Sequence, residues 1–150
     1  MKKIATLIVF GLLTVATYAQ TKEQMMGKRS QEMYRIICVN DRDQWKKFIK
    51  ENYTQALIEK PMKAKVGRQE GEASSLKEEA VKGTIEDKVN MFQRLNNDFG
   101  DSKIVFRKPN GDTIEMVLST ANLNGTFSLT FDKNKPYLIG GLRIQVEGGN

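Results

Sequence analysis

Tyr34, Trp45, Tyr53 and Tyr137 are the side chains best suited to binding chemistry here, because each joins a large apolar body to one polar group that wants a partner at the rim of a cavity. Met33, Phe48, Met62 and Met91 add adaptable apolar surface, although Met33, Phe48 and Met91 also fall on periodic stripes that read as core. Acid–base chemistry has less to work with. The chain holds no histidine, so His general bases, Ser-His-Asp and Cys-His nucleophiles and imidazole metal sites are all excluded. Its single cysteine, Cys38, sits among Ile36, Ile37 and Val39 and reads as a small buried apolar side chain. The remaining acid–base candidates are Glu115, Asp98 and Asp101. Glu115 alternates with the apolar residues of its strand and so faces solvent, while turn chemistry accounts for the two aspartates. We therefore expect no catalytic residue. The acidic pairs Asp41/Asp43 and Glu78/Glu79 read as a cap and a solvated face, and no glycine-rich loop precedes a helix, so neither a metal nor a nucleotide cofactor is expected.

The elements that must position these residues divide by periodicity. Met26, Ser30, Met33 and Ile37 recur at helical spacing and predict a helix from Lys22 to about Val39. Asp41, with Gln44 as capping-box partner, opens a second helix through Trp45, Phe48, Ile49 and Tyr53. Thr54 caps a further turn or two, ended by Pro61. Residues 63–83, charged and carrying three glycines, read as a connecting loop, with a lid over a pocket as the functional alternative; 72–82 could form a short helix. Thr84 and Asp87 then start the clearest helix, with Ile85, Val89, Phe92, Leu95 and Phe99 on one stripe and Gly100 as a left-handed stop. Beyond it the pattern alternates as strands. Ile104 and Phe106 share a face, Asn110-Gly111 forms a two-residue hairpin turn, and Ile114, Met116 and Leu118 return. Asn122 to Gly125 turns the chain, Phe127, Leu129 and Phe131 line a third strand, and a fourth shifts phase at a bulge at Gly140-Gly141.

A positive Met1-Lys2-Lys3, an apolar run from Ile4 to Val15 and the small-residue exit ending at Ala19 read as a signal peptide over 1–19. The run is shorter than the roughly 20 residues that span a bilayer, so cleavage, export to the periplasm or exterior and no membrane contact afterwards are expected. The remainder, 20–150, is the size of one domain. Its net charge falls from +6 to about +4 once Lys2 and Lys3 leave. The charges are well mixed, so nucleic acid is not an expected partner.

Four antiparallel strands with one apolar face need the upstream helical stripes as cover. The fold class is therefore α+β, with N-terminal helices packed in the concave face of a bent four-stranded meander. With Trp45 to Tyr53, the Ala56 to Met62 segment and the Val89 to Gly100 helix running into a hairpin, this order resembles the cone-shaped NTF2-like superfamily. More narrowly, it is similar to small secreted bacterial domains of that superfamily, some joined to serine hydrolases of the β-lactamase type. The resemblance covers about Lys22 to Glu147; 63–83 looks like an insertion, and with the chain ending right after the domain no hydrolase activity is expected. It implies an exported non-enzymatic module holding a small apolar ligand, a peptide or a protein partner, with Tyr34, Trp45, Tyr53 and Tyr137 at the cavity rim. Two alternatives stay open. One is an isomerase or lyase of the ketosteroid-isomerase type, which needs a buried carboxylate beside a tyrosine. The other is a structural domain that dimerises through an outer sheet face presenting Val105, Arg107, Thr113, Glu115, Val117, Ser128, Thr130, Arg143 and Gln145.

Overall fold

The computed structural model describes residues 20–61 and 82–148. The signal peptide expected at 1–19, Met62, and nearly all of the charged 63–83 segment, on which the short helix is expected, lie outside the described residues. The order is α1 (Lys22–Ile37), α2 (Arg42–Asn52), α3 (Gln55–Glu59), α4 (Ile85–Phe99), β1 (Lys103–Asn110), β2 (Thr113–Ser119), β3 (Leu123–Phe131) and β4 (Ile139–Gly148). The strands form one antiparallel sheet in the order β1-β2-β3-β4. The fold is thus α+β, with the helices ahead of the strands and covering one sheet face. Among the described residues no helix is long and apolar enough to cross a membrane.

Each helix starts where a side chain can satisfy the free N–H groups of its first turn. The Thr21 and Thr84 hydroxyls accept from Gln24 and Asp87, whose side chains bond back to the cap backbone. The Thr21 box was not anticipated. Asp41 accepts from the N–H groups of Asp43 and Gln44, but the Gln44 side chain bonds the Asp41 carboxylate at 2.9 Å instead of its backbone N–H, which donates to the Val39 carbonyl. Thr54 caps α3 through the Leu57 N–H. The stripes then bury as their spacing requires: Met26, Ser30, Met33, Ile36 and Ile37 from α1, Trp45, Phe48 and Ile49 from α2, and Val89, Phe92, Leu95 and Phe99 from α4. They meet Ile114, Met116, Leu118, Phe127, Leu129, Phe131 and Ile139 of the sheet. Cys38 is half-buried, because it caps the end of α1 rather than lying within it.

Four readings are corrected by backbone geometry. Gly100 is right-handed, at φ −58°; the tight space explains the glycine, since a Cβ would lie 2.6 Å from the Asn96 carbonyl oxygen. The hairpin turn is Gly111-Asp112, because Asn110 already pairs with Thr113, and Gly111 alone supplies the positive φ, +59°. β1 carries a bulge between Ile104 and Phe106, where two residues of β1 oppose Val117. The extra residue reverses the alternation, so Phe106 is 44% exposed with the bulged Val105 at 61%, while Arg107 bonds Gln31 of α1 at 2.7 Å. Gly125 is not in a turn but inside β3, facing the core opposite Val146. A Cβ there would fall 2.5 Å from Phe99 Cζ and 2.9 Å from Phe127 Cε2, so the glycine is where the Phe99 ring reaches the strand. The shift at Gly140 is present as read, with Thr130 opposite Gly141 and Phe131 opposite Ile139.

Two expected outcomes follow from this packing. Gly125→Ala overpacks a site filled by Phe99 and costs about 1–3 kcal/mol in urea denaturation, with part of the loss recovered when Phe99→Leu is added. The capping carboxylates of Asp41 and Asp87 are held below their ordinary value of 3.8, chiefly by side-chain hydrogen bonds from Gln44 and Thr84. Folded values below the unfolded ones mean that this stability is present above the ordinary value and disappears as pH falls through the folded one. The melting temperature therefore drops on acidification below about pH 4, and Asp87→Asn flattens part of that slope.

Candidate functional site

The junction of α3, α4 and β4 leaves a cavity of about 250 Å³. Its apolar walls come from Leu57 of α3, Met91 of α4 and Leu142 and Ile144 of β4, and its polar groups from Tyr53, Lys60 and Lys88, with Pro61 at the edge. The local backbone explains this convergence. Tyr53 ends α2 in an extended conformation and pairs with Ile139 in an isolated parallel bridge, while the Thr54 N–H donates to the Ile139 carbonyl at 2.9 Å. The start of β4 is thereby fixed against the turn between α2 and α3. On the other side, the Gly83 N–H donates to the Glu59 carbonyl at 2.8 Å and the Lys88 ammonium donates to the Lys60 carbonyl at 2.7 Å. Both bonds satisfy carbonyls at the end of α3, where a cation is also favoured.

Two side chains in this cavity are unusual. Lys88 is only 4% exposed, and burial lowers the pKa of its amine. Its sequence neighbour Asp87 bonds the Thr84 N–H and hydroxyl, so that carboxylate is committed to the cap. Tyr53 is 3% exposed, and among the described residues its hydroxyl has no hydrogen-bond partner. Burial pushes the pKa of this phenol far up, so the hydroxyl keeps its proton and can donate.

The other three expected rim residues do not converge on this cavity. Trp45 is fully buried, with its indole N–H donating to the Ile36 carbonyl at 2.8 Å, so it belongs to the core. The Tyr34 hydroxyl donates to the Ser102 carbonyl at 2.8 Å and ties α1 to the turn before β1. Tyr137, at φ +54° after a cis Lys135–Pro136 peptide, lies half-buried with the Lys22 ammonium 5.9 Å from its ring centroid. Trp45 and Tyr53 are nevertheless linked through Phe92, which stacks with Trp45 at 6.5 Å and lies 6.4 Å from Tyr53. Glu115, Asp98 and Asp101 are all exposed, and no Asp or Glu lines the cavity among the described residues.

Comparison of the chain with protein-family models, curated proteins and solved structures yields no match. The site must therefore be read from its own geometry. A larger trough of about 560 Å³ runs between α1 and α2, where Arg35 bonds Glu32 and Gln44 and Lys47 lies 4.0 Å from Glu51, while Lys28 has no ion partner among the described residues. Arg29, in the same trough, donates through its terminal nitrogens to Asn52 and to the Pro136 carbonyl, and its buried Nε has no partner among the described residues. The smaller cavity is the one whose walls are mainly apolar, with Leu57, Met91, Leu142 and Ile144 around its few polar groups. Lys88 was not anticipated, and its signal in the sequence was a lysine one residue before Val89 on the apolar stripe of α4, where burial would carry it along.

Two hydroxyl deletions separate these roles. Tyr34→Phe loses a made bond and costs about 0.5–1.5 kcal/mol in thermal denaturation. Tyr53→Phe removes a buried group without a partner and leaves the protein equally or more stable. A loss in Tyr53→Phe matching that of Tyr34→Phe would mean that the hydroxyl is already bonded.

Proposed function

We propose that the protein is an exported, non-enzymatic binding module of the NTF2-like kind, which holds a small, largely apolar ligand in the cavity between α3, α4 and β4. The observation that carries this reading is the lining: four apolar side chains around a buried tyrosine hydroxyl that has no partner among the described residues. Ligand sites combine apolar walls with a few placed polar groups in this way, and an unpaired buried donor is costly unless something accepts from it. Export rests on the sequence pattern of residues 1–19. The isomerase alternative asks for a buried carboxylate beside Tyr34, Tyr53 or Tyr137; in the cavity that Tyr53 lines, the described ionisable side chains are Lys60, Lys88 and Tyr53 itself.

Octan-1-ol is a suitable neutral probe. Titrated into the protein and followed by NMR, it is expected to shift the methyl signals of Leu57, Met91, Leu142 and Ile144, and Leu142→Arg is expected to abolish those shifts while the protein stays folded. Shifts scattered over the surface, or none, would remove the ligand-binding reading.

A second reading concerns a partner. We propose that the outer sheet face makes a homodimer contact, because the bulge exposes Val105 and Phe106 on the edge strand β1, beside Val117 of β2. Around them Lys108 stands opposite Glu115 in the sheet, and Ser128 stands opposite Arg143, a mixed-sign surface that a two-fold copy could complement. Sedimentation equilibrium is expected to give a dimer that Phe106→Ser converts to monomer; a wild-type monomer at high concentration would end this reading.

A further inference from the structure

The cavity is not neutral, and that narrows what it can hold. Its walls are Leu57, Met91, Leu142 and Ile144, yet Lys88, only 4% exposed, lines the same space. An ammonium has three N–H groups, and the bond to the Lys60 carbonyl uses one. A carbonyl is a dipole and does not cancel a charge. No carboxylate lies within 4.0 Å of Lys88 among the described residues, and Asp87 is turned to Thr84. Burying an ammonium without an ion partner is expensive, more so than burying the Tyr53 hydroxyl without an acceptor. Both groups are donors, and both residues line the same small space.

Resting on the reading of this cavity as a binding site, we propose that its ligand is a small monocarboxylate with an apolar body, whose carboxylate accepts from the Lys88 ammonium and the Tyr53 hydroxyl. A carboxylate supplies what each donor lacks: oxygen lone pairs for both and one negative charge for the lysine. The apolar body then lies along Met91, Leu142 and Ile144. A cationic ligand would meet Lys88 and Lys60 with like charge, and a neutral one would leave Lys88 with only the more distant charge of Asp87 and no contacting anion. A multiply charged anion would bring more charge than one buried lysine can match.

Octanoate and octan-1-ol share a chain and differ in the head group, so isothermal titration calorimetry of the unmodified protein with each is decisive without any variant. Octanoate is expected to bind about tenfold or more tightly than octanol, in line with a charge-assisted bond. Lys88→Met, which keeps an unbranched apolar stem, should bring the two affinities within about threefold by weakening octanoate alone; Tyr53→Phe should weaken octanoate by a smaller factor. Equal affinities in the wild-type protein would overturn the carboxylate and leave the cavity reading standing. Binding of neither probe would overturn both. Octanoate binding that survives Lys88→Met unchanged would also overturn the proposal.

Discussion

The ring of Phe92 lies against Trp45, Phe48 and Tyr53, at centroid distances of 6.5, 5.8 and 6.4 Å, and through these contacts α4 is held to α2 and to the turn that leads into α3. Most of the helical layer depends on this contact. Phe48 and Tyr53 meet edge to face at 5.9 Å, so the four rings form one continuous body that presents a shaped surface to the sheet. The rings also set the position of Tyr53, whose backbone bridges to Ile139 and so fixes where β4 begins. A shift of Phe92 would be felt in the cavity because the wall, the buried hydroxyl and the strand origin are tied to the same cluster.

The sheet is held to these helices by a few long-range polar anchors and by one deliberate absence of volume. Lys22 at the start of α1 pairs with Asp112 in the hairpin turn, Arg107 reaches Gln31, and Arg29 joins α1 to Asn52 and to the loop before β4. Exposed pairs of this kind contribute little energy each, but they join elements far apart in sequence and so fix how the layers sit. The missing side chain at Gly125 has the opposite character: it lets Phe99 lie against β3, where the ring also meets Phe127 edge to face at 5.4 Å. Helix α4 is thereby fastened at its middle by Phe92 to the helices and at its C-terminal end by Phe99 to the sheet.

Polarity in the cavity follows from how α3 ends. Like any helix, α3 leaves its last carbonyls without partners of its own, and Gly83 and Lys88 supply donors there from the chain that enters α4. The lysine that serves the end of α3 is also the charge left inside an apolar space. The structural need for a donor at a helix end thus places a lysine in the lining of an otherwise mainly apolar cavity.

The sequence alone determined the elements and their order, because helical and strand spacing, the caps at Asp41, Thr54 and Thr84 and the phase shift at Gly140 are local properties of the chain. It also determined most of the core, since residues on the stripes had nowhere to go but inward. It placed Tyr53 among the binding candidates. What it could not determine was decided by single insertions and by contacts between distant residues. The bulge at Val105 is invisible in an alternating pattern, yet it moves Phe106 to solvent and Arg107 to α1. The pairing of Asn110 with Thr113, and not the local turn preference, chose Gly111-Asp112 as the turn. Trp45, Tyr34 and Tyr137 carry the same amphipathic chemistry as Tyr53, but only tertiary packing shows that the first two have spent their donors on the Ile36 and Ser102 carbonyls, and that Tyr137 packs beside Lys22. Lys88 was legible as a charge on a helix and illegible as a site, because its burial depends on α3, α4 and β4 meeting, and three elements meeting is a property of the fold rather than of any stretch of chain.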